Sequence, residues 1–329
     1  MEQNGMDPDS SLASRVLQEQ WGIHEHVEKA RLGVSRETWR VGQSYWLSRC
    51  ELERLEPFVR ESDHLQRLHQ FLRKENFSIE VPEIVPDQRG QLVVNKSGWA
   101  WRLTHHLAGV HPDSRDPQIY TPLIEGLTRF HQALRLFSQQ SSGTIPMGVC
   151  LKARQFVQRF QTMSWRPFTG DQDEKELLER ASRWLLPRLD HFESLPRQLT
   201  HGDWTPPNVL FGSVTPVGCL AAVLDLGSTA IDPIHVDLSH TCSTLLMWSG
   251  LDRVGARIQE VVACYERLTR TPVELTDIHT AMLAHWFCHY WDWRDRLETS
   301  AQSHEVTKRL SLRIRLVLQF LESSDDVSS

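Results

Sequence analysis

The chain has 329 residues, 40% of them hydrophobic, and a net charge of −6, which is the composition of an ordinary globular protein. Its length suits two domains or one enzyme fold in two lobes. It has no block of basic residues, which argues against nucleic acid as a partner, and no apolar run of about 18 residues, which argues against a membrane span. The six cysteines are scattered and no apolar signal segment opens the chain, so we expect reduced thiols and a cytoplasmic location.

The first hundred residues predict a small antiparallel sheet with flanking helical segments. Aromatic and β-branched residues surround a turn at Gly42, a pattern typical of a hairpin, and apolar residues recur at helical spacing after Glu61. In chain order, the predicted elements are a helix over residues 11–23, strands over 30–41 and 45–50, a helix over 61–73, and strands over 91–95 and 98–107.

After Gly109 the pattern becomes mainly helical. Helices are predicted over residues 123–137, 155–162, 174–192, 235–248, 254–268, 273–293 and 306–321. One hairpin, with strands over 209–211 and 219–224, interrupts them. We therefore predict an α+β protein with a flexible tail over residues 1–12, a smaller lobe over 13–107, a helical lobe over 108–321 and a second tail over 322–329.

The residues that indicate chemistry surround this hairpin. Asp203 and Asn208 precede its first strand, and Asp225 follows its second strand. Because a hairpin folds the chain back on itself, we expect Asn208 and Asp225 to lie side by side, with Asp203 in the loop just before. Carboxylate and amide oxygens suit Mg²⁺. For isolated residues, a turn-forming role would be the simpler interpretation.

The spacing within this segment matches the arrangement in protein kinases. There, a catalytic Asp is followed five residues later by a metal-binding Asn, and a second metal-binding Asp opens a D-F-G triplet. Here Asp203 and Asn208 keep that spacing, and Asp225 opens a D-L-G triplet. Gly202 replaces the usual Arg, and the span to Asp232 is too short for an activation loop, so we expect a small-molecule acceptor.

These motifs resemble the aminoglycoside phosphotransferase family, which includes choline kinase-like and homoserine kinase-like enzymes. The resemblance rests on H-G-D-x-x-x-x-N from His201, V-L-D-x-G from Val223, Asp232-Pro233 and Asp237-Leu238, and it spans roughly residues 25 to 300. It implies a bilobal protein-kinase-like fold and transfer of the γ-phosphoryl group of ATP, or of GTP, to a hydroxyl of a small molecule. By that resemblance Asp203 is the base, and Asn208 and Asp225 hold Mg²⁺.

The resemblance also implies nucleotide-binding residues in the smaller lobe. Gly33 and Ser35 fall in the segment that matches the nucleotide loop, and Glu61 matches the helix glutamate that pairs with the ATP-binding lysine. That lysine is missing. Strand register places Ser48 or Arg49 at its position, and we expect Arg49 to replace it, with Lys96 as the alternative. Backbone groups between Thr104 and Leu107 are expected to contact the adenine.

Three questions stay open at this stage. The missing lysine allows a second hypothesis, in which the chain is a kinase-like binding or scaffold protein without turnover. The aromatic residues from Trp286 to Trp293 suit either a buried core stripe, which we favour, or a cage for a choline-like cation. The acidic net charge weakly favours a cationic acceptor, and the sequence indicates neither the acceptor nor the oligomeric state.

Overall fold

The computed structural model describes residues 8–30, 36–140, 148–162, 172–212, 219–249, 251–297 and 303–325. It divides the chain into two compact units. The first unit comprises Met1–Val110 with Ala221–Gly227, and the second comprises His111–Leu220 with Ser228–Ser329. Within the described ranges, no helix combines the length and the apolar character that a membrane span requires.

The first unit is an antiparallel sheet with a helix on each face. Its strands are β1 (Val27–Lys29), β2 (Glu37–Val41), β3 (Tyr45–Glu51), β4 (Ile84–Val85), β5 (Val94–Lys96) and β6 (Trp99–His105), and its helices are α1 (Pro8–Trp21) and α2 (Leu55–Lys74). The strand order is β1-β2-β3-β6-β4, with β5 also paired to β6. The predicted hairpin and both predicted helices are present. Strands β1 and β4 are too short to show the alternation of apolar and polar residues by which a strand is predicted.

The register of β3 against β6 decides which side chains share a face. Ser48 pairs with Arg102 and Arg49 pairs with Trp101. Because successive strand residues point to opposite faces, Arg49 and Trp101 lie on one face and Ser48 and Arg102 on the other. The face of Arg49 and Trp101 packs against α1, and the opposite face packs against α2, where Phe58 contacts the core.

Helix α1 begins inside the segment that the sequence analysis assigns to a tail. It starts at Pro8, and its apolar stripe, which includes Val16 and Leu17, is buried against the sheet. Asp9 in its first turn accepts hydrogen bonds from Lys29 at 2.9 Å and from Arg49 at 2.7 Å. Residues 8–11 are therefore helical rather than a loose tail, and Asp9 among them has partners on the sheet.

The second unit is mainly helical, as predicted. Its helices are α3 (Tyr120–Gln140), α4 (Val149–Thr162), α5 (Gln172–Ser194), α6 (His235–Ser249), α7 (Leu251–Thr269), α8 (Leu275–Leu297) and α9 (Ser303–Asp325). Helix α9 extends to Asp325, beyond the predicted start of the second tail at residue 322. Helix α8 contacts α4, α5, α6 and α9, and its side chains are buried on several sides, as expected for a central helix.

Four short strands lie in the segment around Asp203, Asn208 and Asp225. Strand β7 (Arg197–Thr200) pairs antiparallel with β10 (Ala230–Pro233). Strand β8 (Val209–Phe211) opens the predicted hairpin, which the Gly212 amide closes by donating to the Cys219 carbonyl at 3.1 Å. Strand β9 (Leu220–Val223) follows. The pair β7 and β10 was missed because each strand is short, and Asp-Pro is more typical of a turn.

A core substitution tests whether α1 is part of the first unit. Leu17 is fully buried, so Leu17→Ala should lower the free energy of unfolding by about 2–5 kcal/mol, measured by urea denaturation. The neighbouring Gln18 is exposed, and Gln18→Ala should change it by less than about 0.5 kcal/mol. Equal effects of the two substitutions would show that α1 is not packed on the sheet.

Candidate functional site

A buried carboxylate organises the loop that follows β7. Asp237, in the first turn of α6, accepts hydrogen bonds from the amides of His201 at 2.8 Å and Gly202 at 2.7 Å. Its Oδ2 atom also lies 2.8 Å from Nε2 of His131, whose other ring nitrogen lies 2.9 Å from the Tyr265 hydroxyl. Burial alone would raise the pKa of Asp237, but these hydrogen bonds and the nearby histidines lower it. This agrees with a loop-bracing role for Asp237.

Gly202 fits this loop because no other residue has room there. Its φ angle is +79°, and a Cβ atom at this position would lie 2.1 Å from the Ser228 carbonyl oxygen. Both the backbone angle and the backbone contact exclude a side chain. The glycine that replaces the kinase Arg therefore has a local structural reason in this chain.

The carboxylate of Asp203 is held by two side chains. Asn208 Nδ2 donates to Asp203 Oδ2 at 2.8 Å and to the Asp203 carbonyl at 2.9 Å, and His240 Nδ1 lies 3.2 Å from Oδ1. The Asp203 amide in turn donates to His201 Nδ1 at 3.1 Å. Burial would raise the pKa of Asp203, but the hydrogen bond from His240 and the charges of the neighbouring histidines lower it to about 2. Asp203 is thus a fixed, ionised hydrogen-bond acceptor.

Asn208 is oriented so that its amide oxygen is left for another ligand. A short 3₁₀ turn, Pro206–Asn208, folds the chain back so that the amide nitrogen reaches Asp203. Since the nitrogen is used in this way, Oδ1 is the atom that a cation would meet. Asp225 also carries hard oxygen atoms, and Mg²⁺ commonly takes only one or two protein groups of this kind plus phosphate oxygens. Accordingly, no group of three metal-ligating side chains occurs in the described ranges.

In the first unit, Glu61 is bound by two arginines. Arg36 donates through Nη1 and Nη2 to the two carboxylate oxygens at 2.6 and 2.5 Å, and Arg102 Nη2 donates to Oε1 at 3.1 Å. Burial would raise the pKa of Glu61, but Arg102 and Arg36 lower it. Glu61 therefore pairs with two arginines that the sequence analysis did not select, and its role beside a nucleotide stays a prediction.

Asp225 lies beside this ion pair. Its carboxylate is about half exposed and 3.8 Å from Arg36 Nη2, and its backbone has a φ angle of +50°, a conformation that Asp tolerates better than most residues. A Cβ atom on Gly227 would lie 2.6 Å from Arg36 Nη2 and 3.1 Å from Glu61 Oε2. The glycine of the D-L-G triplet thus leaves room for the Arg36–Glu61 pair.

The prediction that Arg49 replaces the missing lysine is wrong in its geometry. Arg49 lies on the sheet face that packs against α1, where it donates to Glu37 and Asp9 and stacks on Trp99 at 4.0 Å. Only 4% of its side chain is exposed. Lys96, the alternative, forms an ion pair with Glu19 at 3.0 Å. The error is one residue of register, because Ser48 lies on the other face of the sheet, where its cross-strand neighbour Arg102 contacts Glu61.

The other predicted residues are placed less completely. Gly33 and Ser35 lie outside the described residues. The amides of His105 and His106 donate to Glu83 and Ser44, so Leu107 remains the candidate for an adenine contact in that segment. Asp225 belongs to the first unit and Asn208 to the second. Their expected proximity stays a prediction.

Three residues of the site were missed by the sequence analysis, and one of them left a signal. His240 comes three residues after Asp237, one helical turn along the same face of α6, and this spacing is the signal that would have indicated a contact with the loop of Asp203. Arg36 and Arg102 left none, because their roles depend on strand register.

The aromatic segment of α8 is mainly core. Tyr290 and Trp291 are fully buried, the Tyr290 hydroxyl lies 2.7 Å from Glu174, and Trp291 stacks on Phe156. This supports the core interpretation over an open cation cage.

Comparisons with known proteins identify the family and the fold. Residues 26–270 match the model of the phosphotransferase enzyme family. The chain belongs to this family. No curated protein sequence matches the chain.

Solved structures share the kinase-like fold of the family. Aminoglycoside phosphotransferase APH(3'')-Id from Streptomyces rimosus is 17% identical, with a TM-score of 0.58 over 85% of this chain and 98% of its own. Wild-type aminoglycoside 2'-phosphotransferase-IIIa in complex with GDP is 15% identical, with a TM-score of 0.61 over 98% of this chain and 100% of its own. A microcompartment-associated aminopropanol kinase is 19% identical, with a TM-score of 0.64 over 95% of this chain and 98% of its own. At such identities the likeness concerns the fold.

The lowered pKa of Asp203 predicts how a substitution there depends on pH. A carboxylate whose folded-state pKa is depressed stabilises the fold above its unfolded pKa of about 4, and this contribution is lost as the pH falls toward 2. The difference in unfolding free energy between the wild type and Asp203→Asn should therefore change in the variant's favour between pH 6 and pH 3. Urea denaturation at several pH values measures it, and a difference that does not depend on pH would contradict the lowered pKa.

Proposed function

We propose that this family member is a nucleoside-triphosphate-dependent kinase that phosphorylates a hydroxyl group of a small molecule. Asp203 is the base, and Asn208 and Asp225 hold Mg²⁺. The observation that carries the proposal is the Asp203 carboxylate, fixed by Asn208 and His240 in a loop that Asp237 braces.

Asp203 is suited to orient the acceptor and receive its proton. Its two oxygens have fixed directions because a different side chain contacts each of them. Phosphoryl transfer passes through a loose transition state that needs little covalent help, so positioning of the hydroxyl is the main task of such a residue. A low pKa is compatible with this role, since the proton moves late.

Arg36 takes the place of the missing lysine in this proposal. It is held in two-point contact by Glu61 and lies 3.8 Å from Asp225, the proposed metal ligand. A guanidinium presents several donors in one plane and suits phosphate oxygens. Bound Mg²⁺ would offset the charge of the phosphates. Arg102, which is buried beneath Glu61, keeps the glutamate ionised and oriented.

The nucleotide and the acceptor are proposed only by class. The structural neighbours include complexes with ADP and streptomycin and with GDP and kanamycin, which favours a purine nucleotide here and leaves both ATP and GTP as candidates. The second hypothesis, a binding protein without turnover, was motivated by the missing lysine. The Arg36–Glu61 pair makes the missing lysine a weaker argument for that hypothesis, because Arg36 supplies a cation beside Asp225, the proposed metal ligand.

The role of Asp203 is tested by transfer of phosphate from ATP to a panel of hydroxyl compounds: kanamycin, streptomycin, 1-amino-2-propanol, homoserine, choline and glycerate. Asp203→Ala should lower the turnover number by about 10²–10⁴. The control Asp63→Ala removes an exposed carboxylate and should leave turnover unchanged. Normal turnover in Asp203→Ala would contradict its assignment as base, and no transfer to any compound would favour the binding protein.

The nucleotide site is tested by calorimetric titration with ATP, with and without Mg²⁺. Arg36→Gln and Asp225→Ala should each weaken Mg-dependent binding by about tenfold or more, since each removes a charge-assisted contact. Arg49→Gln should lower stability and leave the affinity of the folded protein unchanged, because its guanidinium binds Asp9 and Glu37 instead. If Arg49→Gln weakens binding and Arg36→Gln does not, the original assignment of the cation is restored.

A further inference from the structure

A chain of ring contacts extends from the proposed base through the second unit. His240 contacts Asp203, and the ring of His285 on α8 lies 3.9 Å from that of His240. Trp286 lies 4.5 Å from His285, and His289, one turn further along α8, lies 4.3 Å from His285. The side chains around Asp203 are therefore aromatic and basic.

Arg313 on α9 continues this chain. Its guanidinium lies over the Trp286 ring at 4.3 Å. It is partly buried, and it has no hydrogen bond and no carboxylate partner in the part of the chain that the structure describes. Burial lowers the pKa of Arg313, and the Asp203 carboxylate offsets part of that effect, so the two groups lie within electrostatic range. A partly desolvated cation without an anion is costly, which points to an anionic ligand.

Two other buried or half-buried carboxylates of the second unit already have partners. Asp292 forms an ion pair with Lys152 at 3.7 Å, and Glu174 is hydrogen-bonded by the Tyr290 hydroxyl. Neither is left to neutralise a polycationic acceptor. Among the described residues, Arg313 is thus a cation without a carboxylate partner, next to the aromatic and histidine side chains that lead to Asp203.

Two buried ring nitrogens add polar groups that lack a partner. His240 Nε2 and His285 Nδ1 make no hydrogen bond in the described part of the chain, although these side chains are only 2% and 3% exposed. Buried polar atoms are nearly always hydrogen-bonded in proteins, to the protein, to water or to a ligand. These atoms lie between Asp203 and Trp286, where a polar ligand would satisfy them.

We propose that the acceptor is a hydroxy acid, a small molecule whose hydroxyl meets Asp203 while its carboxylate binds the guanidinium of Arg313. This inference rests on the proposed kinase function and specifies its substrate class. The planar fork of an arginine matches a carboxylate in two-point contact, and Trp286 fixes the plane of that fork. The neutral form of His289, whose pKa burial and His240 lower to about 4, adds a hydrogen-bonding group without adding charge.

The test compares two pairs of probes that differ only in the anionic group: glycerate with glyceramide, and 3-hydroxybutyrate with 3-hydroxybutyramide. Calorimetric binding without nucleotide should favour the carboxylate of each pair by about tenfold or more, the usual effect of a charge-assisted hydrogen bond. Arg313→Gln should abolish that preference, and Arg313→Lys should retain part of it. Arg315→Gln removes an exposed arginine from the same helix and should leave the preference intact.

The outcomes separate this inference from the kinase function. Equal binding within each pair, binding of neither member, or a preference that survives Arg313→Gln would overturn the inference. Preferential binding or transfer of phosphate to kanamycin would overturn it while leaving the kinase function in place. A carboxylate preference that depends on Arg313, in a protein that does not bind Mg-ATP, would support the anion site and reject the kinase function.

Discussion

The loop that presents Asp203 depends on one buried carboxylate. Asp237 is fully buried and satisfies two consecutive backbone amides, at His201 and Gly202, that have no strand partner once β7 ends. Removing one partner from a buried ionic contact typically costs about 3–5 kcal/mol, so the loop conformation is strongly determined. The positive φ angle of Gly202 is possible because glycine has no side chain, and the hydrogen bond from its amide to Asp237 holds the loop in this conformation.

In the first unit, an arginine rather than a lysine lies beside Asp225. A lysine reaches a glutamate as a point charge, whereas Arg36 and Arg102 bind the two oxygens of Glu61 from two directions. This arrangement contains two cations for one glutamate, and the nearby Asp225 supplies the second negative charge. Because the net charge of the four groups is near zero, the cluster is stable before any ligand binds.

How well a feature could be predicted from the sequence depends on how far apart along the chain the interacting residues lie. The spacing of Asp203, Asn208 and Asp225 is local, so the sequence was sufficient to predict the family and its kinase-like fold. The identity of the Glu61 partner depends on the pairing of β3 with β6, where an error of one residue exchanges the faces of Ser48 and Arg49. Helix α1 was underestimated for a related reason, since Asp9 is stabilised by Arg49 and Lys29, which are distant in sequence.

The histidines near Asp203 affect its pKa, and this bears on how the proposed acceptor would be held. His240 favours the ionised carboxylate, which lowers the pKa of Asp203 to about 2 and makes it a weak base in the resting protein. In the proposed reaction, such a base would take a proton only after the hydroxyl has begun to bond to phosphorus, so the acceptor would have to be held by contacts elsewhere. A carboxylate at Arg313 would provide that anchor from a side chain that does not change its charge. If Arg313 bound the acceptor's carboxylate, away from the reacting hydroxyl, Asp203 could orient that hydroxyl and stay ionised until the phosphoryl group is transferred.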